Sequence, residues 1–299
     1  MTSEHIHIHC DKPAWTREIH SFSHKAMATM FGVFVVYPDP AYAEQAAWAA
    51  FEELDRLESE LSRFVDNSDI ARINSLPPDR TVCVGLDAFE CLRIAQKIAS
   101  DTEGAFDITI GGLLDKLPGD KPATEREQIG WNLLELNAEQ HTVCRNNEQI
   151  EIDLGGIGKG CAIDRMGALL RDWEVDIALI HGGYSTVLAL ECPLNTEGWP
   201  VTISDPQTRK TLRRFHLKNQ ALSASGLQKG AHIINPRTLC AAQGQRATWC
   251  STRDAATADA LSTAFMVMDT HQIERYCSRH TGTQAVLLLP GGEKLTYGI

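Results

Sequence analysis

Predicted strands and helices follow one another in runs along this chain instead of alternating one by one, and this order limits the folds open to it. The segment 30–37 is rich in β-branched and aromatic residues, which predicts a strand. A long helix is predicted next, with apolar residues every three to four positions at Ala47, Ala50, Leu54, Leu57 and Leu61. Further strands are predicted at 150–154, 176–180, 199–204, 212–217, 247–252 and 284–289, and further helices at 86–100, 161–171, 256–268 and 272–279. Repeated βα units would indicate a doubly wound parallel sheet, whereas this order predicts an α+β fold with mixed or antiparallel sheets and packed helices.

The length of 299 residues is enough for one large domain with a substantial buried core. The sequence contains no internal repeat and no Gly/Ser-rich linker, so one compact catalytic unit is expected over residues 25–299, after an N-terminal extension over residues 1–24. The stretch Lys116–Glu127 is rich in proline and charge and predicts a long surface loop.

The charge and the cysteines of the chain exclude some classes of protein. There are 28 basic and 39 acidic side chains, and this acidic balance disfavours nucleic-acid binding because the phosphate backbone is also negative. The nine cysteines are scattered, odd in number and without a Cys-x-x-Cys pair. They argue against a disulfide framework or a structural zinc site, and they fit a reducing compartment.

The first ten residues lack the basic and apolar regions of a secretory signal, and no apolar stretch is long enough to span a bilayer. A cytoplasmic location is therefore expected. His5, His7 and His9 alternate, which would place them on one face of a strand where they could bind a metal. The alternative is a frayed or edge-strand terminus.

The segment Asp153-Leu-Gly-Gly-Ile-Gly-Lys-Gly160 joins a predicted strand to a predicted helix through closely spaced glycines. Glycine lets the backbone approach a ligand closely, and a helix N-terminus presents free N–H groups that suit a phosphate. Lys159 can add a full positive charge. The segment is not a Walker loop, because no Ser or Thr follows Lys159, and the third glycine of a dinucleotide fingerprint would fall at Cys161. It predicts either a phosphate-binding turn or a tight strand-to-helix turn with an exposed lysine.

In the segment Thr257-Ala-Asp-Ala-Leu-Ser-Thr-Ala264, Asp259 and Thr263 are four positions apart and would share one face of the predicted helix. With a backbone carbonyl and ligand phosphates, this carboxylate and this hydroxyl would form a magnesium site, because magnesium prefers oxygen ligands. The alternative is structural: Asp259 would stabilise the first helical turn, and the Thr263 hydroxyl would bond the carbonyl of Asp259.

Two shorter segments also carry candidate functional side chains. Gly104-Ala-Phe-Asp-Ile-Thr109 delivers an aromatic ring and a carboxylate after a small-residue turn, which suits a flat heterocycle with hydrogen-bonding edges. It is equally a strand start with a buried Phe106. Ala231-His-Ile-Ile-Asn-Pro-Arg-Thr238 places His232 before a turn forced by Pro236, and this histidine is either an acid, base or hydrogen-bond donor or a structural residue.

Taken together, these segments resemble the FAD:protein FMN transferase family, long described as thiamine-biosynthesis lipoproteins. The matching segments are Met27-Ala-Thr29, Leu61-Ser-Arg-Phe64, Ile70-Ala-Arg-Ile-Asn74, Thr102-Glu-Gly-Ala-Phe-Asp107, Asp153–Gly160, Ala162-Ile-Asp164, His181-Gly-Gly183, Trp199–Pro206, Ser223-Ala-Ser-Gly226, His232–Thr238 and Ala258–Thr263. They extend over about residues 25–290, nearly the whole chain. Each motif alone is a weak signal, whereas their common order is specific.

The resemblance implies an α+β fold of the family's own type that binds FAD with magnesium. It also implies cleavage of the FAD pyrophosphate, with FMN joined through its phosphate to a threonine of a target protein. By position, the residues expected around the flavin or adenine are Met27, Phe64, Ala105, Phe106 and Asp107, and those also lining the dinucleotide are Asp153, Lys159 and Ile234. The expected metal site is the Gly156 carbonyl, Asp259 and Thr263, with Ser262 adjacent. The expected catalytic residues are His232, Asp259 and Lys159, with His232 contacting the pyrophosphate or assisting transfer.

The sequence departs from the family pattern at Asn235, where the family has Asp, and at Leu239, where the family has Gly. Losing that carboxylate would weaken turnover or only change a turn. The segment between Ser225 and His232 is shorter than usual, and the signal peptide and lipid-anchoring cysteine are missing. The alternative functions are an FAD-binding protein, or a magnesium-dependent pyrophosphatase that releases FMN and AMP without transfer. A flavin carrier without enzymatic activity would need neither Asp259 nor Thr263.

Overall fold

The computed structural model describes residues 8–10, 19–114, 129–148, 150–227 and 233–298. The strands in these ranges are β1 (Ile8–Cys10), β2 (Ile19–Ala26), β3 (Thr29–Val36), β4 (Thr81–Cys83), β5 (Leu134–Asn137), β6 (Thr142–Arg145), β7 (Ala178–Gly182), β8 (Thr186–Ala189), β9 (Trp199–Ser204), β10 (Thr211–Leu217), β11 (Gln220–Gly226), β12 (Ile234–Asn235), β13 (Cys240–Ala241), β14 (Ala247–Thr252), β15 (Gln284–Leu288) and β16 (Lys294–Tyr297). The helices are α1 (Pro40–Leu61), α2 (Asp69–Ser75), α3 (Leu86–Asp101), α4 (Gly111–Leu114), α5 (Gly158–Asp172), α6 (Ala255–Phe265) and α7 (Thr270–Arg279), with a 3₁₀ turn at Trp131–Leu133.

The centre of the fold is an eight-stranded sheet in the order β16-β15-β14-β11-β8-β7-β3-β2. All of its neighbouring strands are antiparallel. Three-stranded sheets in the orders β1-β9-β10 and β4-β6-β5 and the hairpin β12-β13 accompany it. The predicted α+β fold with antiparallel sheets and packed helices is therefore confirmed.

The central sheet separates two hydrophobic cores, because successive side chains of a strand point to opposite faces. Phe31 and Val33 of β3 are buried against helices α1, α3, α5 and α6 on one face. Phe34 of the same strand packs on the opposite face, in the core formed with Val201 of β9 and Phe215 of β10. The result is three layers: helices, the eight-stranded sheet and the β1-β9-β10 sheet.

Side-chain caps fix the helices that border the functional site. Asp39 accepts the N–H groups of the first turn of α1, whose first residue is a proline. Asp254 caps α6 by accepting the Thr257 N–H at 2.8 Å. The two carboxylate oxygens of Asp164, on α5, accept the N–H groups of Ala255 and Ala256 at 2.7 and 2.8 Å. Asp164 thereby ties α5 to the N-terminus of α6.

Most predicted elements are confirmed with small shifts at their ends, but the strand predicted at 150–154 is wrong. This segment makes only an isolated bridge between Glu151 and Ile110, and the Asp153 N–H donates to the carbonyl of Ile108 at 2.8 Å. The alternating apolar residues of segment 150–154 are buried but form no strand of a sheet, because the partner segment is too short to form a ladder. Helix α5 also begins at Gly158, before the predicted start at Cys161.

Strand β2 begins at Ile19 and pairs with β3 along its whole length, so the sheet extends upstream of the domain start expected at residue 25. Strand β1 pairs with β9 at an edge of the three-stranded sheet. His5, His7 and the stretch Lys116–Glu127 lie outside the described residues. Over the described part of the chain, no helix combines the length and apolarity required to cross a bilayer.

Candidate active site

An open cleft of about 670 Å³ lies beside the first turn of α5 and the middle of α6. Cofactor and small-molecule sites commonly have volumes of about 300–1,000 Å³. The predicted site residues that line it are Met27, Phe64, Ala105, Phe106, Asp107, Asp153, Gly156, Lys159, Ile234, Asp259 and Thr263. Ser262 is fully buried behind the wall, and His232 lies outside the described residues. The structure therefore brings candidates from distant segments to one cleft.

The glycines before α5 allow close contacts that a larger residue would block. A Cβ added at Gly156 would lie 3.1 Å from Cε2 of Phe106 and 3.5 Å from Oγ1 of Thr263. A Cβ at Gly160 would lie 2.3 Å from the carbonyl oxygen of Ala255. Gly156 thus lets the backbone reach the cleft wall, and Gly160 lets α5 cross the start of α6 in direct contact.

Lys159 joins the two predicted ligand-binding segments. Its Nζ lies 3.3 Å from Oδ2 of Asp259 and 3.5 Å from the carbonyl oxygen of Gly155, with the side chain 24% exposed. Lys159 is therefore partly buried and paired with Asp259 instead of being freely exposed. The lysine places positive charge in the cleft beside the N-terminus of α5, where a helix also carries partial positive charge.

Asp259 is buried and its carboxylate accepts hydrogen bonds from several directions. Besides Lys159, Oδ2 accepts the N–H of Gly160 at 3.2 Å, and Oδ1 accepts the hydroxyls of Thr186 and Ser223 at 3.2 and 3.0 Å. Helix α6 begins at Ala255 with Asp254 as its cap, so Asp259 does not stabilise the first turn as the structural alternative required. These donors hold the carboxylate in place at the cleft wall.

Three further hydroxyls lie around the backbone carbonyl of Asp259. Thr263 Oγ1 lies 3.1 Å from Ser225 Oγ and 3.4 Å from the carbonyl oxygen of Asp259. Ser262 Oγ lies 2.9 Å from Ser225 Oγ and donates to the Asp259 carbonyl at 2.9 Å. Ser225 and Thr263 line the cleft. The long Thr263 bond shows that the structural alternative for this residue is present but weak.

Phe106 and Asp107 add an aromatic ring and a carboxylate to the cleft wall. Phe106 is almost fully buried yet lines the cleft, and residues 104–109 form no strand, so the strand-start alternative is wrong. Asp107 accepts the N–H and hydroxyl of Thr109 at 2.9 and 2.7 Å and the N–H of Trp131 at 3.0 Å. Burial raises the pKa of Asp107 against these hydrogen bonds, which lower it. The carboxylate is held rigidly at the wall.

Arg63 was not predicted as a site residue, but it organises one side of the cleft. Its Nε lies 2.6 Å from Oδ2 of Asp153, and its Nη1 lies 2.5 Å from Oε1 of Glu151. Its guanidinium also lies over the ring of Phe64, with 4.4 Å between the Cζ atom and the ring centre. Phe64 is 78% exposed at the cleft mouth. The signal for Arg63 was its position between Ser62 and Phe64, but its partners are distant in sequence.

Two turns complete the rim. Met27 and Ala28 join β2 to β3 with φ angles of 47° and 57°, a left-handed conformation that non-glycine residues rarely adopt. Tyr184 and Ser185 lie in the turn between β7 and β8 and also line the cleft. Neither of these two was predicted, because nothing in their local sequence indicates ligand binding.

The two departures from the family pattern lie in the turn between β12 and β13. Oδ1 of Asn235 accepts the N–H of Arg237 at 2.9 Å, so the amide makes the side-chain-to-backbone bond of an Asx turn. Leu239 has a φ of 60°, the left-handed region that glycine adopts without cost, and its side chain packs with Leu113 and Ile234. Both residues therefore take part in forming this turn.

The oxygen donors around Asp259 fit a magnesium ion. Among the described residues, no group of three or more His, Cys, Asp or Glu side chains is placed to hold a metal. The available donors are instead one carboxylate (Asp259), hydroxyls and the backbone around Gly156, whose Cβ position would approach Thr263 Oγ1 within 3.5 Å. An all-oxygen set with a single carboxylate suits a cation that takes further ligands from a bound phosphate.

The fold and the cleft define an α+β protein whose cleft combines a lysine, oxygen donors and an aromatic ring. The model of the ApbE family matches residues 27–288, and the chain therefore belongs to the ApbE family.

Curated relatives and solved structures agree with this membership. The chain is 25% identical to the FAD:protein FMN transferase of Buchnera aphidicola subsp. Schizaphis graminum over 72% of this chain and 69% of the relative. It is 23% identical to the protein of the same name from Vibrio cholerae, over 87% and 83% of the two chains. The fold matches the ApbE protein from Thermotoga maritima with a TM-score of 0.84, at 24% identity over 93% of this chain and 97% of that one. The flavin transferase ApbE from Vibrio cholerae matches with a TM-score of 0.82, at 18% identity over the same shares.

Proposed function

We propose that this protein is a magnesium-dependent FAD:protein FMN transferase, which attaches FMN through a phosphoester to a threonine of a target protein. The observation that carries the proposal is the pairing of Lys159 with Asp259 inside the cleft. It places a cation, a helix N-terminus and oxygen donors at one point, where a pyrophosphate would be held for phosphoryl transfer. The names of the curated relatives support the same reaction.

Phe106 and Asp107 would contact a ring system of FAD. Phe106 offers a ring face and Asp107 a fixed carboxylate that can accept N–H groups of a heterocycle. Met27, Ala105 and Phe64 would close around the same region. Asp153 and Ile234 also line the cleft and would contact the rest of the dinucleotide.

The groups around Lys159 and Asp259 would act on the pyrophosphate by position and charge. The Gly156 carbonyl, Asp259 and Thr263 would hold magnesium, with Ser262 supporting them from behind. Magnesium bound there would supply positive charge to the pyrophosphate oxygens. As the acceptor threonine oxygen bonds to the FMN phosphorus, the bond from that phosphorus to the bridging oxygen would break, AMP would leave with the bridging oxygen, and the hydroxyl proton would pass to solvent. Lys159 would neutralise further charge in this step. His232 is expected to contact the pyrophosphate or to assist transfer.

Water could replace the acceptor hydroxyl, in which case the same residues would hydrolyse FAD to FMN and AMP. The names of the curated relatives favour transfer over hydrolysis. The flavin-carrier alternative has no use for the buried carboxylate and hydroxyls at Asp259.

The test is incubation of the protein with FAD, magnesium and a target domain that bears the acceptor threonine. Mass spectrometry of the target should show one added FMN, and AMP should accumulate in equal amount. A target with the acceptor threonine replaced by alanine is the control and should stay unlabelled. Free FMN with AMP and an unlabelled target would establish the hydrolase instead. An absence of flavin-fluorescence quenching on mixing with FAD would refute both reactions.

A further inference from the structure

Ser225 connects the metal-site threonine to the interior of the protein. It belongs to β11, whereas Ser262 and Thr263 belong to α6, which packs across this strand. Ser225 Oγ lies 3.1 Å from Thr263 Oγ1 and 2.9 Å from Ser262 Oγ. Ser262 Oγ in turn lies 2.9 Å from the carbonyl oxygen of Asp259. These groups form a chain of hydrogen bonds, called here the hydroxyl relay, from the cleft wall to a backbone carbonyl.

The direction of the relay follows from counting protons. A hydroxyl has one proton to donate, whereas a carbonyl oxygen can only accept. Ser262 therefore donates to the Asp259 carbonyl and can only accept from Ser225. Ser225 has then used its proton and can only accept from Thr263. The Thr263 proton points into the protein, and its lone pairs are left facing the cleft.

The reversed order requires a poorer set of bonds. If Ser225 donated to Thr263, the Thr263 proton would have to go to the Asp259 carbonyl over 3.4 Å, which is long for an O–H donor. The buried Ser262 would then turn its proton away from that carbonyl, although the two atoms are 2.9 Å apart. The reversed order would also spend one Thr263 lone pair on the Ser225 proton. Both the distances and a cation in the cleft favour the first order.

We propose that Ser225 is a positioning residue for the metal site, because it accepts the Thr263 proton and so presents the Thr263 oxygen to magnesium as a lone-pair donor. This inference rests on the proposed metal site. It assigns to Ser225 no contact with the metal itself. Without the Ser225 hydroxyl, the Thr263 proton has only the distant Asp259 carbonyl or the cleft to point to, and in the cleft it opposes a cation.

The test is Mn²⁺ binding to the purified protein, measured by the electron paramagnetic resonance signal of free Mn²⁺ during a titration. Ser225→Ala should raise the dissociation constant of Mn²⁺ by about 3- to 10-fold, the usual effect of one neutral hydrogen bond. Ser225→Thr restores the hydroxyl and should bind Mn²⁺ within about 2-fold of the unmodified protein. FAD affinity in EDTA, measured by fluorescence quenching, should fall less than Mn²⁺ affinity in Ser225→Ala, since the relay acts on the metal.

Ser251→Ala is the matched control. Ser251 is a buried serine of β14, the strand next to β11, and its Oγ donates to the Ala221 carbonyl at 2.6 Å. It does not line the cleft, so Mn²⁺ affinity should not change. Thermal melts of both alanine variants establish that they are folded.

Three results would overturn the inference. Unchanged Mn²⁺ affinity in Ser225→Ala would contradict the proposed role of the hydroxyl relay, and the proposed transferase function would still stand. Equal losses of Mn²⁺ and FAD affinity in Ser225→Ala and Ser225→Thr would indicate a packing role. If the unmodified protein binds Mn²⁺ no better than Asp259→Asn does, the proposed metal site fails and the relay fails with it.

Discussion

The Nζ of Lys159 lies 3.3 Å from Oδ2 of Asp259, although the two residues are 100 positions apart in the chain. The contact joins the N-terminus of α5 to the buried face of α6. It turns two ambiguous sequence segments into one site with a cation and a carboxylate facing the same cleft. The role of Asp259 in this site can be tested by substitution.

Replacing Asp259 by asparagine should abolish metal-dependent turnover while the protein stays folded. Asparagine keeps the shape of the side chain but removes the negative charge that would hold magnesium. Loss of the metal's charge stabilisation should reduce turnover by at least about 100-fold. FMN transfer at saturating magnesium measures this, with circular dichroism as the check on folding.

Asp254→Ala is the control on the same helix. Asp254 caps α6 through the Thr257 N–H and is absent from the cleft lining. Removing the cap should lower the free energy of unfolding by about 1 kcal/mol and leave transfer intact. A similar loss of transfer in both variants would mean that Asp259 acts through helix stability and not through the metal.

Arg63→Gln should weaken FAD binding by about 10-fold, equivalent to about 1.4 kcal/mol. The arginine holds Asp153 at 2.6 Å and stacks on Phe64, so its loss would free a carboxylate and a ring that line the cleft. Fluorescence quenching of FAD gives the dissociation constant. Glu151→Gln removes only the more exposed partner of Arg63 and should change the constant by less than about 2-fold.

The residue types of the candidate site could be predicted from the sequence more completely than their spatial arrangement. Lys159, Asp259 and Thr263 could be predicted as candidates because their residue types and spacing suit phosphates and metals, whereas Asp153 was predicted from its place in the family pattern. Arg63, Thr186 and Tyr184 could not, because each reaches the site through packing between distant segments.

The same limit applies to the fold. Strand β11, Gln220–Gly226, lies between β8 and β14 in the centre of the sheet, yet its alanines and serines do not favour strands. The small side chains are explained by what they adjoin: Ser223 and Ser225 bond groups of α6, which packs across them. Segment 150–154 shows the reverse error, since its buried alternating residues form no sheet.

Asn235→Asp should leave turnover within about 3-fold of the unmodified protein. Asn235 already makes the turn bond to the Arg237 N–H, and an aspartate oxygen would make the same bond. Asn235 is also absent from the cleft lining, whereas its neighbours Ile234 and Pro236 are part of it. Steady-state transfer measures the effect. A gain of more than about 10-fold would show that a carboxylate at this position acts on the substrate directly.

Alkylation should separate the exposed from the buried thiols. The hydrogen bond with Cys91 and burial raise the pKa of Cys161 well above 9.0, its ordinary value. Because only the thiolate reacts, Cys161 should resist iodoacetamide at pH 7.5, whereas the exposed Cys83 and Cys240 should be labelled. Peptide mapping by mass spectrometry reads out each site.

The same shift predicts a pH dependence of stability. A thiol whose pKa is raised by folding keeps its proton longest in the folded state, so its contribution is complete below pH 9.0 and is lost as the pH rises. Melting temperatures between pH 8 and 10 should therefore fall less steeply for Cys161→Ser than for the unmodified protein. Parallel curves would contradict the assignment.

At Leu239, we expect unfavourable backbone strain to be offset by favourable packing of the side chain. Its left-handed φ of 60° costs about 1–2 kcal/mol relative to glycine. Its buried side chain, packed with Leu113 and Ile234, contributes about 2–5 kcal/mol that truncation would remove. Leu239→Gly should therefore lower the free energy of unfolding by about 1–3 kcal/mol, as measured by urea denaturation.

Leu239→Ala separates the two terms, because alanine loses the packing and keeps the strain. The alanine variant should be less stable than the glycine variant by about 1 kcal/mol, even though glycine is the more flexible residue in the unfolded chain. At a position with an ordinary backbone conformation the order would be the opposite, with alanine more stable. An alanine variant as stable as glycine would therefore show that the turn relaxes out of the left-handed region. If the alanine variant is less stable than the glycine variant, this chain keeps at Leu239 a backbone conformation typical of glycine. It then stabilises that conformation by burying the leucine side chain.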